Sequence, residues 1–227
     1  INNHGVLDIQ NDLSWGGYLP TFNNQTLDLL NQSDGLLVKS GGTGTAQLGY
    51  EYTTSNYSQY VNLINTGTVQ VQSGTLQVWS GSSSGTGTID LAAGTTFDAY
   101  GPSAFQLLNG SSVIGHSSFD EVQNLFDSSN LKGRYAVGLG ETAKLDGNLT
   151  WVSGTLEGPG TFAIQPGAVF TIDGATTGGI PDAYGSGSAR VLNNVTLETT
   201  RDALYGTIAW VAGSAYVDGG GSTINNH

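Results

Sequence analysis

One recurring phrase constrains this chain more than anything else: Gly-Thr, an apolar residue, any residue, a second apolar residue, two spacers, then Gly. It occurs as Gly67, Thr68, Val69, Val71 and Gly74, and again as Gly87, Thr88, Ile89, Leu91 and Gly94. It returns as Gly160, Thr161, Phe162, Ile164 and Gly167, and as Gly206, Thr207, Ile208, Trp210 and Gly213. The two glycines stand seven residues apart in all four copies, and the first two copies lie 20 residues apart. Apolar residues at alternating positions share one face of a short strand. The closing glycine permits the positive φ of a tight corner. A second short strand follows the corner, as with Leu76 and Val78, or Val169 and Ile172. A single phrase cannot bury its apolar face, but stacked copies can.

These observations predict an all-β chain, a parallel β-helix (β-solenoid) of about 20-residue rungs in which residues 1–227 form one unit. At about 4.8 Å per rung such a unit holds about 11 rungs and rises about 50 Å. Asn-Gly and Asp-Gly pairs (Asn109-Gly110, Asp146-Gly147, Asp34-Gly35, Asp218-Gly219) keep a sandwich of hairpins as the rival. An amphipathic helix fits this text poorly, because each interior glycine costs roughly 1 kcal/mol. Residues 119–133 are the exception. Phe119, Val122, Leu125 and Phe126 fall on one helical face after a capping Ser118, which predicts one short lateral helix. Residues 49–60, with four tyrosines, predict a loop or longer excursion.

Asn follows an apolar residue at several openers: Ile1-Asn2-Asn3, Phe22-Asn23-Asn24, Ile64-Asn65, Leu108-Asn109 and Leu192-Asn193-Asn194. Asn tolerates turn conformations, and its amide can ladder between rungs. The chain also begins and ends on the same four residues, Ile1-Asn2-Asn3-His4 and Ile224-Asn225-Asn226-His227. The expectation is that the end of one unit is the start of the next. The assembly interface then includes Ile1, Asn2, Asn3, Leu7 and Ile9 on one side and Val217, Ile224, Asn225 and Asn226 on the other. The partner is a copy of the chain itself, head to tail.

Composition narrows the function classes. Net charge is −12, from 18 acidic and six basic residues, and charged residues are only 11 %. That balance disfavours nucleic acid and anionic membranes. No apolar run approaches the ~20 residues of a membrane span. There is no Cys, hence no disulfide or thiolate metal site. The chain does not open with Met or a signal peptide, so it is expected to be processed or part of something longer.

Read across the repeated ends, STINNHGVLDIQND, together with GLLVKSGGTGT, INTGTVQVQSGTLQV, GTGTIDLAAGTTFD and LTWVSGTLEGPGTFAIQPGAVFTIDG, resembles the tandem-repeat β-solenoid proteins of bacterial and archaeal surfaces, the autotransporter and filamentous-haemagglutinin-like group. These stretches cover more than a third of the chain. The resemblance implies a secreted parallel β-helix with an adhesive or structural role at the cell surface. It carries over no catalytic residues. The Tyr-rich insert and residues 119–133 depart from the plainest repeats of that group.

Parallel β-helices also host glycosidases and lyases, which need paired carboxylates or a base beside a cation. Asp98, Asp120, Glu121, Asp173 and Asp202 are available, but no tight acidic motif joins them. The expectation is a protein that is not an enzyme, with no cofactor and no metal. His116 reads as a surface or turn residue. Tyr50, Tyr52, Tyr57 and Tyr60 are candidates for contact with surface glycans, since aromatic faces stack on sugars.

Overall fold

A computed structural model describes residues 1–15, 25–52, 57–79, 81–101, 103–120, 125–173, 189–192, 196–199, 207–212, 215–218 and 223–225. The chain winds in rungs. The first consists of β1 (Asn2–Asn3), β2 (Val6–Ile9) and β3 (Ser14–Trp15), and the second of β4 (Gln25–Asn31), β5 (Leu36–Lys39) and β6 (Thr45–Leu48). After an excursion through β7 (Tyr50–Tyr52) comes the third, β8 (Tyr57–Asn65), β9 (Thr68–Val71) and β10 (Thr75–Trp79). The fourth is β11 (Ser84–Gly85), β12 (Thr88–Leu91) and β13 (Thr96–Tyr100). Then follow β14 (Phe105–Leu107), β15 (Ser112–Gly115), β16 (Ser117–Asp120), β17 (Leu125–Ala136) and the long β18 (Thr142–Glu157). The chain continues through β19 (Thr161–Ile164), β20 (Val169–Asp173), β21 (Ala189–Leu192), β22 (Thr196–Thr199), β23 (Thr207–Ala212), β24 (Ala215–Asp218) and β25 (Thr223–Asn225).

Three ladders of parallel strands run the length of this stack. The first face is β1, β4, β8, β11, β14, β17, β18, β21, β24. The second is β2, β5, β9, β12, β15, β18, β19, β22, β25. The third is β3, β6, β10, β13, β17, β18, β20, β23. The expected open, all-β solenoid is therefore the fold. Nine described strands on the first face give eight steps of about 4.8 Å, or about 38 Å of rise, fewer rungs than the sequence period predicts.

The reason is that a 20-residue rung is the minimum, not the rule. Between paired residues of the first face the chain advances 28 (Asn3 to Asn31), 34 (Asn31 to Asn65), 20 (Asn65 to Gly85) and 22 (Gly85 to Leu107). It then advances 30 (Gln106 to Ala136), 21 (Ala136 to Glu157), 35 (Leu156 to Val191) and 26 (Val191 to Val217). Most of the excess sits at the corner from the third face to the first. Four residues cross it between Trp79 and Ser84, but 15 between Asp173 and Ala189. The Gly/Ser/Thr/Pro stretch at 175–188 lies outside the described residues. Length varies freely here because a corner need not match its neighbours, whereas every strand must.

The two-glycine phrase maps onto the second face. In three of its four copies Gly-Thr enters that face, the two apolar residues turn inward, and the second glycine makes the next corner. Val69, Val71 and Leu91 are fully buried, Ile89 nearly so. The corner glycines have φ of +62 (Gly74), +73 (Gly94) and +76 (Gly167), conformations that L side chains avoid. The fourth copy differs, because its strand, β23, lies on the third face. On that third face Leu76, Val78, Phe97 and Phe170 point into the core; the inward residue of β20 is Phe170, and Val169 is only half-buried. Burying one such aliphatic or aromatic side chain contributes about 1.5–3 kcal/mol. One continuous core results, in which Trp151 stacks on Phe170 at 6.3 Å and Phe97 meets Phe105 edge-on at 5.8 Å.

Among the described residues the predicted lateral helix is not found. Residues 117–120 and 125–128 instead form an antiparallel hairpin in which Phe119 is registered opposite Phe126. From Ser129 onward β17 joins the stack, parallel to β13 and β18. Helical spacing of four apolar residues is weak guidance when Ser128, Ser129, Asn130 and Gly133 follow, residues of low helix propensity. The ladder on either side supplies the backbone hydrogen bonds that decide the matter. The Tyr-rich excursion is a hairpin too, β7 antiparallel to the start of β8.

Candidate functional site

Among the described residues β1, β2 and β3 each pair on one side only, with β4, β5 and β6. Their other edges carry backbone N–H and C=O groups ready for another strand. The apolar side chains that would be interior one rung further along are here uncovered. Leu7 and Ile9 are only partly buried against the core, and Leu13 is 68 % exposed. Leu7, Ile9, Leu13, Trp15 and Leu48 line a groove of about 290 Å³ that opens at this end.

An asparagine ladder runs up the corner between the first and second faces. Asn3 Nδ2 donates to Asn31 Oδ1 at 2.8 Å, and Asn31 Nδ2 donates to Asn65 Oδ1 at 2.8 Å. Each amide also donates to a carbonyl of the following rung: Leu36, Thr68 and Thr88 respectively. Asn31 and Asn65 are buried, so the ladder replaces the water that their amides lose. The ladder stops at Gly85, which takes the next place. Asn109 is exposed in a turn and takes no part, and Asn23, Asn24, Asn193 and Asn194 lie outside the described residues.

A second side-chain row crosses the third face. Ser14 donates to Gln47 at 2.8 Å, Gln47 to Gln77 at 2.6 Å, and Gln77 to Asp98 Oδ2 at 2.8 Å. Lys132 closes the row 3.6 Å from the same oxygen. Asp98, considered above as a catalytic acid, is a buried member of this row. Tyr135 lies in the core beneath it and donates to Phe97 O at 2.9 Å. Burial, with the Asp98 charge second, pushes its phenol well above the ordinary value.

Lys39 is the residue that sequence reading passed over. It occupies an inward position, level with Ile9 and Val71, and is fully buried. Its stem fills the core while its amine reaches the corner, donating to Gly41 O (2.7 Å), Gly42 O (2.9 Å) and Asp12 Oδ1 of the first rung (3.1 Å). Gly35 and Gly42 here are a fifth copy of the seven-residue spacing, disguised because Lys replaces the second apolar residue. The Lys39 ammonium and the Gly44 N–H hold the Asp12 carboxyl below the usual carboxylate value; Ser40 and Gln10 do the same for Asp8.

Two predictions arise at this clasp. Lys39→Ala is expected to cost about 2–4 kcal/mol in urea denaturation, from the cavity and the carbonyls left unpaired. Lys39→Met, which keeps the volume but leaves the same carbonyls unpaired, is expected to lose less than Lys39→Ala, the difference being the cavity. The folded-state values of Asp8 and Asp12 are depressed, so their contribution is complete above the ordinary carboxylate value of 3.8 and is lost as pH falls through the lower folded values. Hydrogen-exchange protection of residues 1–15 is expected to fall in that acid window before that of 57–101, and Asp12→Asn to remove the Asp12 part of the transition.

The remaining candidates fall as follows. Ile1 is half-exposed, and its ammonium donates to Asp28 O at 2.6 Å. Asn2 accepts from Gln32 at 2.7 Å. Val217 lies in β24, and Ile224 and Asn225 in β25; Asn226 lies outside the described residues. The two copies of the end phrase occupy different faces, since β1 is on the first and β25 on the second. Tyr52 is registered opposite Tyr57, and Tyr50 opposite Gln59; Tyr60 is partly buried. His116 is exposed, 2.9 Å from Asp90, which also accepts from Gln70. Asp120 ends β16 and Asp173 ends β20, while Glu121 and Asp202 lie outside the described residues. Among the described residues no three His, Asp or Glu side chains are grouped to hold a metal. No helix among them is long and apolar enough to cross a membrane.

Compared with known protein families, curated proteins and solved structures, the chain gives no match.

Proposed function

We propose that this chain is a structural repeat of an extracellular filament or surface adhesin, extended end to end by stacking of terminal rungs. The observation that carries the reading is the first rung itself, with three parallel strands, each open along the same side, above an uncovered end of the core. The polar ladders support it, because they bind rung to rung and leave the function in the stack. The resemblance to tandem-repeat surface proteins supports the extracellular setting, and the net charge of −12 gives nucleic acid no foothold. Electron micrographs of the concentrated protein are expected to contain unbranched filaments. A field of single globular particles at every concentration would overturn the reading.

A carbohydrate-binding role is the second reading, favoured by the register that sets Tyr52 across from Tyr57 on the β7–β8 hairpin. A glycan array separates the two. Binding that disappears in Tyr52→Ala/Tyr57→Ala, without loss of filaments, would add this role to the first.

A further inference from the structure

Asn109 and Gly110 are the one Asn-Gly pair in the sequence, and the fold leaves that pair unheld. They are the middle residues of the turn from β14 to β15, which Ser111 N closes by donating to Leu108 O at 2.9 Å. The turn is anchored at both ends. Leu108 N donates to Gly85 O in the rung before, and Ser111 O accepts from Lys144 N in the rung after. Between these anchors both residues are exposed. Among the described residues neither the Asn109 side chain nor the Gly110 N–H has a hydrogen-bond partner. A Cβ on Gly110 would meet nothing within 4 Å, so its φ of +93, and not crowding, selects glycine there.

Related positions lack this combination. The same closure, with a positive-φ glycine third, recurs at 92–95, 138–141 and 165–168, but the second residues there are Ala93, Leu139 and Pro166, which carry no amide. The ladder asparagines Asn31 and Asn65 have their amides tied to neighbouring rungs. The backbone N–H that follows each is tied as well, Gln32 N to Asn3 O and Thr66 N to Asn31 O. Two Asp-Gly pairs are held in the same way. Gly35 N donates to Gln32 O and Gly147 N to Asp146 Oδ1, each at 2.7 Å, and a Cβ on either glycine would strike a carbonyl of the rung before.

We infer that Asn109 is a site of spontaneous modification, converting to aspartate and isoaspartate in the folded chain without disturbing the stack. Gly110 N, after giving its proton to hydroxide, attacks Asn109 Cγ. A C–N bond forms, the side-chain nitrogen leaves as ammonia, and a cyclic succinimide results. Water then opens the ring at either carbonyl carbon. Opening at Cγ gives aspartate; opening at the backbone carbonyl gives isoaspartate, whose main chain runs through the side chain and is one carbon longer. In sum a water is consumed and an ammonia released, with nothing oxidised or reduced. Ring closure needs a free N–H, no side chain screening it and room to rotate, and this turn supplies all three. Leu108 and Ser111, which hold the turn to its neighbours, lie outside the ring, so the altered backbone stays within the corner. The conversion adds a negative charge between the first and second faces that accumulates with the age of the protein.

The test is incubation of the folded chain at mildly alkaline pH, followed by peptide mapping and by methyl labelling with an isoaspartate-specific methyltransferase. The peptide that holds residue 109 is expected to gain about 1 Da and to take up label, faster as pH rises. Its rate in the folded chain is expected to stay within about fivefold of that in the urea-unfolded chain, because the fold does not protect this turn. Isoaspartate at Asp146 is expected to form at least about tenfold more slowly in the folded chain than in the unfolded one. Asn109→Gln is expected to remove the label from this peptide, and Asn109→Asp to melt as the parent does. An amide at 109 that persists in the folded chain while it converts in urea would overturn the inference, as would equal conversion at Asn31 or Asn65. A lowered melting temperature for Asn109→Asp would equally overturn it, because the corner would then not contain the product.

Discussion

Replacing Gly87 by alanine is expected to cost about 3 kcal/mol or more, and by valine to unfold the middle of the stack. The new Cβ would enter the Gly67 carbonyl and come within 2.8 Å of Asn65 Nδ2 and 2.9 Å of the Thr66 carbonyl carbon. All three belong to the backbone or to the asparagine ladder of the rung before, so no flexible group can yield. Gly167 is the contrast. Its φ is +76, but a Cβ there meets nothing within 4 Å. Gly167→Ala therefore carries only the left-handed penalty of about 1–2 kcal/mol. Urea denaturation of the pair separates contact between rungs from dihedral strain. Equal losses would mean that rung-to-rung approach is not what selects glycine at this corner.

Leu91→Asp is expected to cost at least about 4 kcal/mol and to leave little folded protein. Leu91 is fully buried, level with Val71 in the rung before. The fold accepts one charge at this level, but only because Lys39 is long enough to carry its amine out to two carbonyls and Asp12. An aspartate carboxylate at 91 stays inside the apolar column with no donor in reach. Because each rung contacts only its neighbours, the damage should spread outward from the fourth rung. Hydrogen exchange would then lose protection first in residues 68–71, 88–91 and 112–115. Uniform loss along the whole chain would argue for a single cooperative unit instead.

Much of this architecture was legible because the phrase with two glycines names both corners of one face. Val69, Val71, Ile89 and Leu91 point inward as alternation requires, and Gly74, Gly94 and Gly167 turn left-handed as corners require. The period misled where corners took insertions, since nothing in the ladder restrains their length. Residues 119–133 misled because four apolar residues fit helical spacing by chance, while Phe119, Leu125 and Phe126 sit in a local antiparallel hairpin and the partners of the residues from Ser129 onward lie a rung away in β13 and β18. The same blindness hid Lys39. Its neighbours in sequence read as an ordinary strand, and only the corner carbonyls of Gly41 and Gly42 explain a buried ammonium. Asn3 and Asn65 could be picked out as ladder residues; Asn31 follows Leu30 in the same pattern, and its register with both places it in the ladder. The repeated end phrase was visible at once, yet its two copies lie on different faces. A second unit continuing from the later copy would be turned by one face relative to the first.

The most direct measurement is cryo-electron microscopy of assembled protein at a resolution that separates rungs. The account predicts one axial spacing of about 4.8 Å that runs unbroken through every junction, with the β1, β2 and β3 edges each hydrogen-bonded to a strand of the preceding unit. Stacks that end at β1 and associate side by side, or a gap in the axial spacing at each unit boundary, would contradict it.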